Sequence, residues 1–261
     1  MREALLTQSM LPVTNDECAL FLDFDGTLVD IAERPDAVVL DPALPEVLTR
    51  LEERLGGALA IISGRPINFL DGQFGASLFD TAGLHGLEHR IAGRLMLCDP
   101  DDHPDLRAAI ERLEEVVSSK PGVLIEDKGC SVAVHWRQAP QEKDFALATA
   151  HAAVEALGSS YRVQHGKAVA EILPAAAGKG AVIEKFLQHP PYRGRRPIFI
   201  GDDLTDENGF KMVNALGGLS VRIGAGETVA RERLGTPSDL RKSLSRWARE
   251  GSLPFNWTSD T

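Results

Sequence analysis

Asp23-Phe24-Asp25-Gly26-Thr27 stands where an apolar run, Ala19 to Leu22, stops abruptly. Two carboxylates two residues apart would share one side of a continuing strand. At that spacing they repel, and one pKa rises unless a cation sits between them. A hard, oxygen-seeking ion such as Mg²⁺ relieves the repulsion. The alternative is a surface turn, since Asp and Gly both favour turns. A second acidic group, Gly201-Asp202-Asp203-Leu204-Thr205-Asp206-Glu207, ends another apolar run. One acid, such as Asp206, would suffice as a helix cap. Four acids exceed that need, and two acidic clusters at two strand ends can converge on one metal.

Two further groups suit an anion. Ser63-Gly64-Arg65-Pro66 offers a hydroxyl, a glycine-freed backbone N–H and a helix start, which together make a phosphate or oxyanion cradle. Gly178-Lys179-Gly180 places an ammonium at the start of a helix, where it could balance carboxylate and phosphate charge. Each also has a plain structural alternative: a strand-to-helix turn for the first, a solvated lysine for the second.

These groups need elements to place them. The 261 residues are 43% hydrophobic and 25% charged, an ordinary globular balance for one large domain or two modest ones. Ala19 to Thr27 reads as a strand buried on both faces. Asp41-Pro42 reads as an N-cap with proline first in a helix, carrying Leu44, Val47, Leu48, Leu51 and Leu55 on one face. Ala58 to Ser63 is the next strand, completing a βαβ unit. The pattern returns with a helix from Lys179, a strand over Pro197 to Asp203, a helix over Asp206 to Leu216 and a strand over Leu219 to Gly224.

The middle differs. Gly86 to Leu97, Gly122 to Trp136 and Tyr161 to Leu173 read as hairpins, separated by two amphipathic helices. The prediction is α/β: a doubly wound parallel core over residues 1–84 and 175–261, with an α+β cap inserted at 85–174. Cys18, Cys98 and Cys130 are odd in number and widely spaced, so neither a disulfide framework nor a thiolate zinc site is expected. The first residues lack a signal-peptide core, and no run is long enough to span a membrane, which predicts a soluble, cytoplasmic protein. A net charge of −10 excludes nucleic acid and anionic membrane as expected partners, but not a small phosphorylated substrate at a locally positive site.

In this chain order the four groups resemble the haloacid dehalogenase (HAD) superfamily of phosphatases, with the signature D-x-D-G-T-L complete at Asp23 to Leu28. The resemblance implies covalent phosphoryl transfer. Asp23 would form an aspartyl-phosphate. Asp25 would protonate the leaving alcohol and then deprotonate the hydrolytic water. Mg²⁺ would be held by Asp23, the Asp25 carbonyl and Asp202, with Asp203 and Asp206 in support. Ser63 and Lys179 would hold the phosphoryl oxygens. Splitting a hard displacement into two steps suits a carboxylate nucleophile, and metal and lysine would neutralise the transferring group.

Within the insert, Ala82-Gly83-Leu84-His85-Gly86-Leu87-Glu88, Glu126-Asp127-Lys128, His135-Trp136-Arg137 and Glu171 ahead of Pro174 are similar to trehalose-6-phosphate phosphatases, from about Leu20 to Gly224. The resemblance implies hydrolysis of trehalose 6-phosphate, the last step of trehalose biosynthesis. It also implies functional coupling to a trehalose-6-phosphate synthase. Glu126, Lys128, Glu171 and Arg137 would grip the distal glucose, with Arg65 also at the substrate. Carboxylates accept from sugar hydroxyls and Lys or Arg donates. Read without the family, Glu126-Asp127-Lys128 is a charged hairpin tip. His85 and His89 read as structural or substrate-near, not as metal ligands, and Trp136 as cap core or a stacking platform. The rivals are another HAD sugar phosphatase, a phosphomutase, or a non-catalytic sugar-phosphate sensor.

Overall fold

Continuous apolar segments alternate with one-sided helices in the computed structural model of the chain, which describes residues 14–31, 37–75 and 79–254. The core begins with β1 (Cys18–Leu22), α1 (Leu44–Arg54), β2 (Leu59–Ile62), α2 (Ile67–Phe74), β3 (Asp80–Gly83), β4 (Glu88–Ile91) and β5 (Arg94–Met96). The inserted unit holds α3 (Pro104–Val117), β6 (Leu124–Asp127), β7 (Val132–His135), α4 (Lys143–Leu157), β8 (Tyr161–Gly166) and β9 (Val169–Pro174). The core resumes with α5 (Lys179–Leu187), β10 (Arg196–Gly201), α6 (Glu207–Ala215), β11 (Leu219–Ile223), β12 (Glu232–Leu234) and α7 (Pro237–Glu250).

The core sheet runs β12-β11-β10-β1-β2-β3-β4-β5, parallel from β12 to β3. Every residue of β1 and β2 is buried, as a strand covered on both faces requires. Phe21 and Phe199 are register partners, and they meet Phe186 of α5 and Phe210 of α6 in aromatic contacts. The inserted unit has its own sheet, β6-β7-β9-β8, and its own core, in which Leu106, Ile110 and Leu113 of α3 and Ala146 and Ala150 of α4 cover Val132, Val134 and Ile172.

Several expectations are corrected. The hairpin Gly86 to Leu97, assigned to the cap, pairs antiparallel with β3 and extends the core sheet (Thr81↔Arg90, Ala82↔His89). Arg90 fixes it there through a bidentate pair with Asp71 of α2 at 2.7 and 2.9 Å. The chain therefore leaves the core sheet after Met96, not at residue 85. The strand at Asp23 does not continue: it ends at Leu22, and the two acids sit in the following turn. The first helix starts at Leu44, because the Asp41 carboxylate accepts from Ala43 N–H and closes a preceding turn. Cys98 and Cys130, expected unpaired, form a disulfide across 32 residues, which ties the segment leaving the core to the β6–β7 turn. Cys18 is a buried free thiol. The N-terminal stretch read for a signal peptide lies, up to residue 13, outside the described residues. No helix among the described residues is long and apolar enough to cross a membrane.

Candidate active site

β10, β1 and β2 are parallel neighbours, so their C-terminal ends stand side by side at the usual strand spacing of about 4.8 Å. Asp202 follows β10, Asp23 follows β1 and Ser63 follows β2. The strand order reverses between β1 and β10, and in open α/β sheets the crevice at such a reversal is where ligands bind. Gly26 sits in the turn after β1 at φ 80°, and a Cβ there would stand 2.2 Å from the Asp202 carboxylate. The positive φ is what asks for glycine here, and its missing Cβ leaves room for the Asp202 side chain against the turn.

Lys179, the first residue of α5, is 3% exposed and reaches both clusters: its Nζ donates to Asp23 Oδ1 at 2.6 Å and to Asp206 Oδ1 at 2.5 Å. Asp206 Oδ2 accepts from the backbone N–H groups of Asp202 and Asp203 at 3.0 and 2.9 Å. Asp206 thus has both oxygens engaged, as the brace between the lysine and the acidic loop. Thr27 Oγ1 donates to Asp23 Oδ2 at 3.0 Å, which fixes the other face of that carboxylate.

Burial pushes the Asp23 carboxyl well above the usual carboxylate range, with repulsion from Asp206 and Asp202 adding to it against the pull of Lys179. Burial and Asp206 push Asp202 up to about 6, partly offset by Lys167. Burial also works against the Lys179 charge, yet Asp206 and Asp23 together raise its pKa above the ordinary lysine value. One ammonium among these acids leaves surplus negative charge. Asp23, Asp202 and Asp206 bring carboxylate oxygens within 4.8 Å of one another, an all-oxygen set that fits a hard divalent cation.

Ser63 is buried and accepts from Arg65 N–H through Oγ at 3.1 Å. Arg65 grips both oxygens of Asp25, each at 2.8 Å, and its guanidinium lies 4.6 Å from the centroid of the Phe69 ring. Asp25 is thereby held on the cradle side of the site, turned toward Arg65.

The other wall comes from the inserted sheet. Register pairs Glu126 with Ala133, Ala133 with Glu171 and Glu171 with Gln164, a single row across all four strands. Successive side chains alternate faces, so this row lies opposite the Val132–Ile172–Val163 row that packs on the helices. The result is one cavity of about 670 Å³, with Asp23, Ser63 and Lys179 on the core side and Glu126, Lys128 and Glu171 on the other. Arg137, Arg65, Asp25, Asp202 and Asp203 also line it. Trp136 is only 6% exposed and belongs to the hydrophobic cluster of the insert, so it is core and not a platform. Lys167, in the β8–β9 turn, places Nζ 3.5 Å from Asp202 Oδ2 and bridges the two units.

Glu171 is nearly sealed. Ser131 donates to Oε1 at 2.7 Å, and Lys128 Nζ and His85 Nε2 both lie 3.2 Å from Oε2. Burial pushes its pKa up, but His85, Lys128 and Ser131 prevail and hold the carboxyl far below the ordinary glutamate range. Glu126, more open, is bonded to His135 Nε2 at 2.8 Å, which lowers its pKa despite partial burial. Thr27, Asp206 as the partner of Lys179, and His85 as the partner of Glu171 escaped the sequence reading. For Thr27 the signal was present, since it stands four residues after Asp23.

The family model described as trehalose-phosphatase matches residues 21–243. The chain is 45% identical over 235 residues to the probable trehalose-phosphate phosphatase of Sinorhizobium fredii, covering 87% of this chain and 85% of that protein. It is 41% identical over 230 residues to the trehalose-6-phosphate phosphatase of Escherichia coli K12, covering 88% and 86%. Among solved structures, the C-terminal domain of the C. albicans trehalose-6-phosphate phosphatase shares the fold with a TM-score of 0.78 at 24% identity, covering 90% of this chain and 92% of that one. A HAD-superfamily phosphatase from Bacteroides thetaiotaomicron superposes with a TM-score of 0.58 at 15% identity, covering 95% and 98%.

Proposed function

The chain belongs to the trehalose-phosphatase family, and from that premise we propose that it hydrolyses trehalose 6-phosphate to trehalose and phosphate through an aspartyl-phosphate on Asp23. One observation carries the reading. A buried carboxylate, held by Lys179 and Thr27, faces across a single cavity a row of carboxylates and a lysine suited to sugar hydroxyls.

In this reading Asp23 attacks phosphorus, an Asp23 O–P bond forms and the P–O bond to the sugar breaks. Asp25 gives its proton to the departing sugar oxygen. It then takes a proton from the water that attacks the aspartyl-phosphate, which releases phosphate and regenerates Asp23. Asp25 begins as a carboxylate clamped by Arg65, so its proton role requires that pair to open and the freed carboxylate to take up a proton from solvent first. An incoming phosphate offers the guanidinium a competing anion, for which its fork geometry is matched. Ser63 and Lys179 hold phosphoryl oxygens. Asp23, Asp202 and the Asp25 carbonyl would hold Mg²⁺, with Asp203 in support and Asp206 as brace. The ion would neutralise charge on the transferring group.

On the sugar side the exposed Glu126 and the half-buried Lys128 are the partners for the distal glucose, and Arg137 lines the same cavity. Glu171 shapes the wall and orients Lys128. The inserted unit, Leu97 to Pro174 by sheet membership, acts as the specificity cap. A cytoplasmic enzyme working after a trehalose-6-phosphate synthase fits this substrate. There the Cys98–Cys130 pair would exchange with the thiol pool.

Phosphate release from trehalose 6-phosphate, sucrose 6-phosphate, glucose 6-phosphate and a mannosyl phosphoglycerate, with Mg²⁺ and with EDTA, tests the proposal. Metal-dependent release confined largely to trehalose 6-phosphate is expected. Release from another member would keep the core chemistry and discard the roles of Glu126, Lys128 and Arg137. Product return to a second sugar hydroxyl would mark a mutase.

A further inference from the structure

His85 joins the two walls of the cavity. Its backbone belongs to the core: His85 N–H donates to Ser63 O at 3.0 Å, and His85 O accepts from Gly178 N–H at 2.9 Å. One residue is therefore stitched to the phosphate cradle and to the residue preceding Lys179. Its ring packs on Gly64, where a Cβ would stand 2.8 Å from Nε2. The ring then crosses to the inserted unit, with Nε2 3.2 Å from Glu171 Oε2. Since an ionised carboxylate only accepts, Nε2 carries the hydrogen in this contact.

The position is not one that packing alone would select. His85 holds φ at 56°, in the left-handed region that costs any residue with a Cβ, although His enters it more readily than most. Its Nδ1 is buried and has no hydrogen-bond partner among the described residues. A strained backbone and an orphaned ring nitrogen are both unfavourable, and such features persist where a site demands them. What the ring gains is a single directed contact, to a buried carboxylate that also holds Lys128 at 3.2 Å.

We propose that His85 is a positioning residue that locks the Glu171–Lys128 pair of the cap in register with the Ser63–Lys179 phosphate cradle, and so sets the distance between sugar recognition and phosphoryl transfer. The inference rests on the trehalose 6-phosphate reading and deepens it. A joint of this kind matters only for a substrate that spans both walls. A phosphate ester with no second sugar needs the cradle alone.

His85→Asn tests this, because Asn tolerates the left-handed backbone while its side chain is too short to reach Glu171. His85→Gln retains a donor with nearly the original reach. Both are compared with wild type on trehalose 6-phosphate and on p-nitrophenyl phosphate. For His85→Asn we expect kcat/KM on trehalose 6-phosphate to fall about 100-fold, the usual order for a misplacement near 1 Å. On p-nitrophenyl phosphate it should stay within about twofold, and His85→Gln should recover most of the loss. Adding Glu171→Gln to His85→Asn should cost little more, since both remove one joint. An equal fall on both substrates would reduce His85 to support of the core. No fall on trehalose 6-phosphate would overturn the proposal outright. Wild type is read first: failure on trehalose 6-phosphate with turnover of another sugar phosphate overturns the substrate reading, and the same ratio, taken on that sugar phosphate, then decides the role of His85.

Discussion

Replacing Lys179 by Met removes the ammonium that joins Asp23 to Asp206, whose side chains are 5% and 0% exposed. Methionine fills the volume without charge, so the perturbation is electrostatic. Breaking a buried pair by deleting one partner typically costs about 3–5 kcal/mol. The molecule can limit that loss by binding a proton. At pH 7.4, protonating a carboxyl whose unfolded pKa is about 3.9 costs about 4.8 kcal/mol, at about 1.36 kcal/mol per unit. The two figures agree, and Asp23 is the natural recipient because burial already raises its pKa. The sign follows: the folded variant holds a proton that the unfolded chain lacks, so its stability falls as pH rises, by up to about 1.4 kcal/mol per unit. Thermal unfolding of wild type and variant between pH 5.5 and 8.5 is the assay. At pH 7.4 the midpoint should drop by roughly 6–20 °C, at about 2–4 °C per kcal/mol for a chain of this size. Near pH 5.5 the deficit should shrink to about half. Asp23→Asn in the Lys179→Met background should restore part of the loss. A deficit that stays constant with pH, or one below about 1 kcal/mol, would refute the reasoning.

Three other outcomes are expected. Asp202 titrates at about 6 and must shed its proton to bind a cation, so Mg²⁺ activation should weaken below pH 6, by up to about tenfold per unit; a pH-independent Mg²⁺ requirement between 5 and 7 would exclude Asp202 as a ligand. Arg65→Ala should lower kcat/KM about 100-fold, and Arg65→Lys should recover little, since a point charge cannot reproduce the fork that leaves Asp25 to take the incoming phosphate. Thiol titration should find no reactive group in the native, unreduced protein, because Cys18 is buried with its thiol pushed up to about 12, and Cys98 and Cys130 are paired; unfolding should expose one thiol, and reduction two more. Two thiols reactive before reduction would refute the disulfide.

The site was legible where chemistry needs several residue types in one short segment. Acids at the ends of β1 and β10, the serine after β2 and the lysine opening α5 are written as local words, and parallel topology brings their positions together. Gly26 was legible as a turn, but its reason, the Asp202 carboxylate 2.2 Å from where its Cβ would be, lies 176 positions away in sequence and needs the fold. The hairpin β4–β5 was legible as a hairpin and not as a core element, since alternation says nothing about which sheet a strand joins. Leu240, Leu244, Trp247 and Ala248 show helical spacing that would have located α7. The disulfide, the Arg65–Asp25 clamp and the His85–Glu171 contact join segments with no shared sequence pattern.

The pairing of β1 with β10 has a consequence for how the chain acquires its shape. Cys18 meets Arg196, so roughly 180 residues, the whole inserted unit included, must be made before the central seam can close. At about 5–20 residues per second of synthesis, β1 waits on the order of 10–40 s for its neighbour. During that interval β1, β2 and β3 can pair among themselves, while the far edge of a wholly apolar strand stays open. An uncovered edge of that kind invites wrong partners. The inserted unit, whose strands pair only with one another, can meanwhile complete its own sheet. Asp23 and Asp202 flank the late seam, so the acidic site is assembled only when the last large piece of the core arrives. Truncation anywhere before β10 leaves Asp23 without Asp202, and recovered activity in a refolding experiment times the closing of that seam.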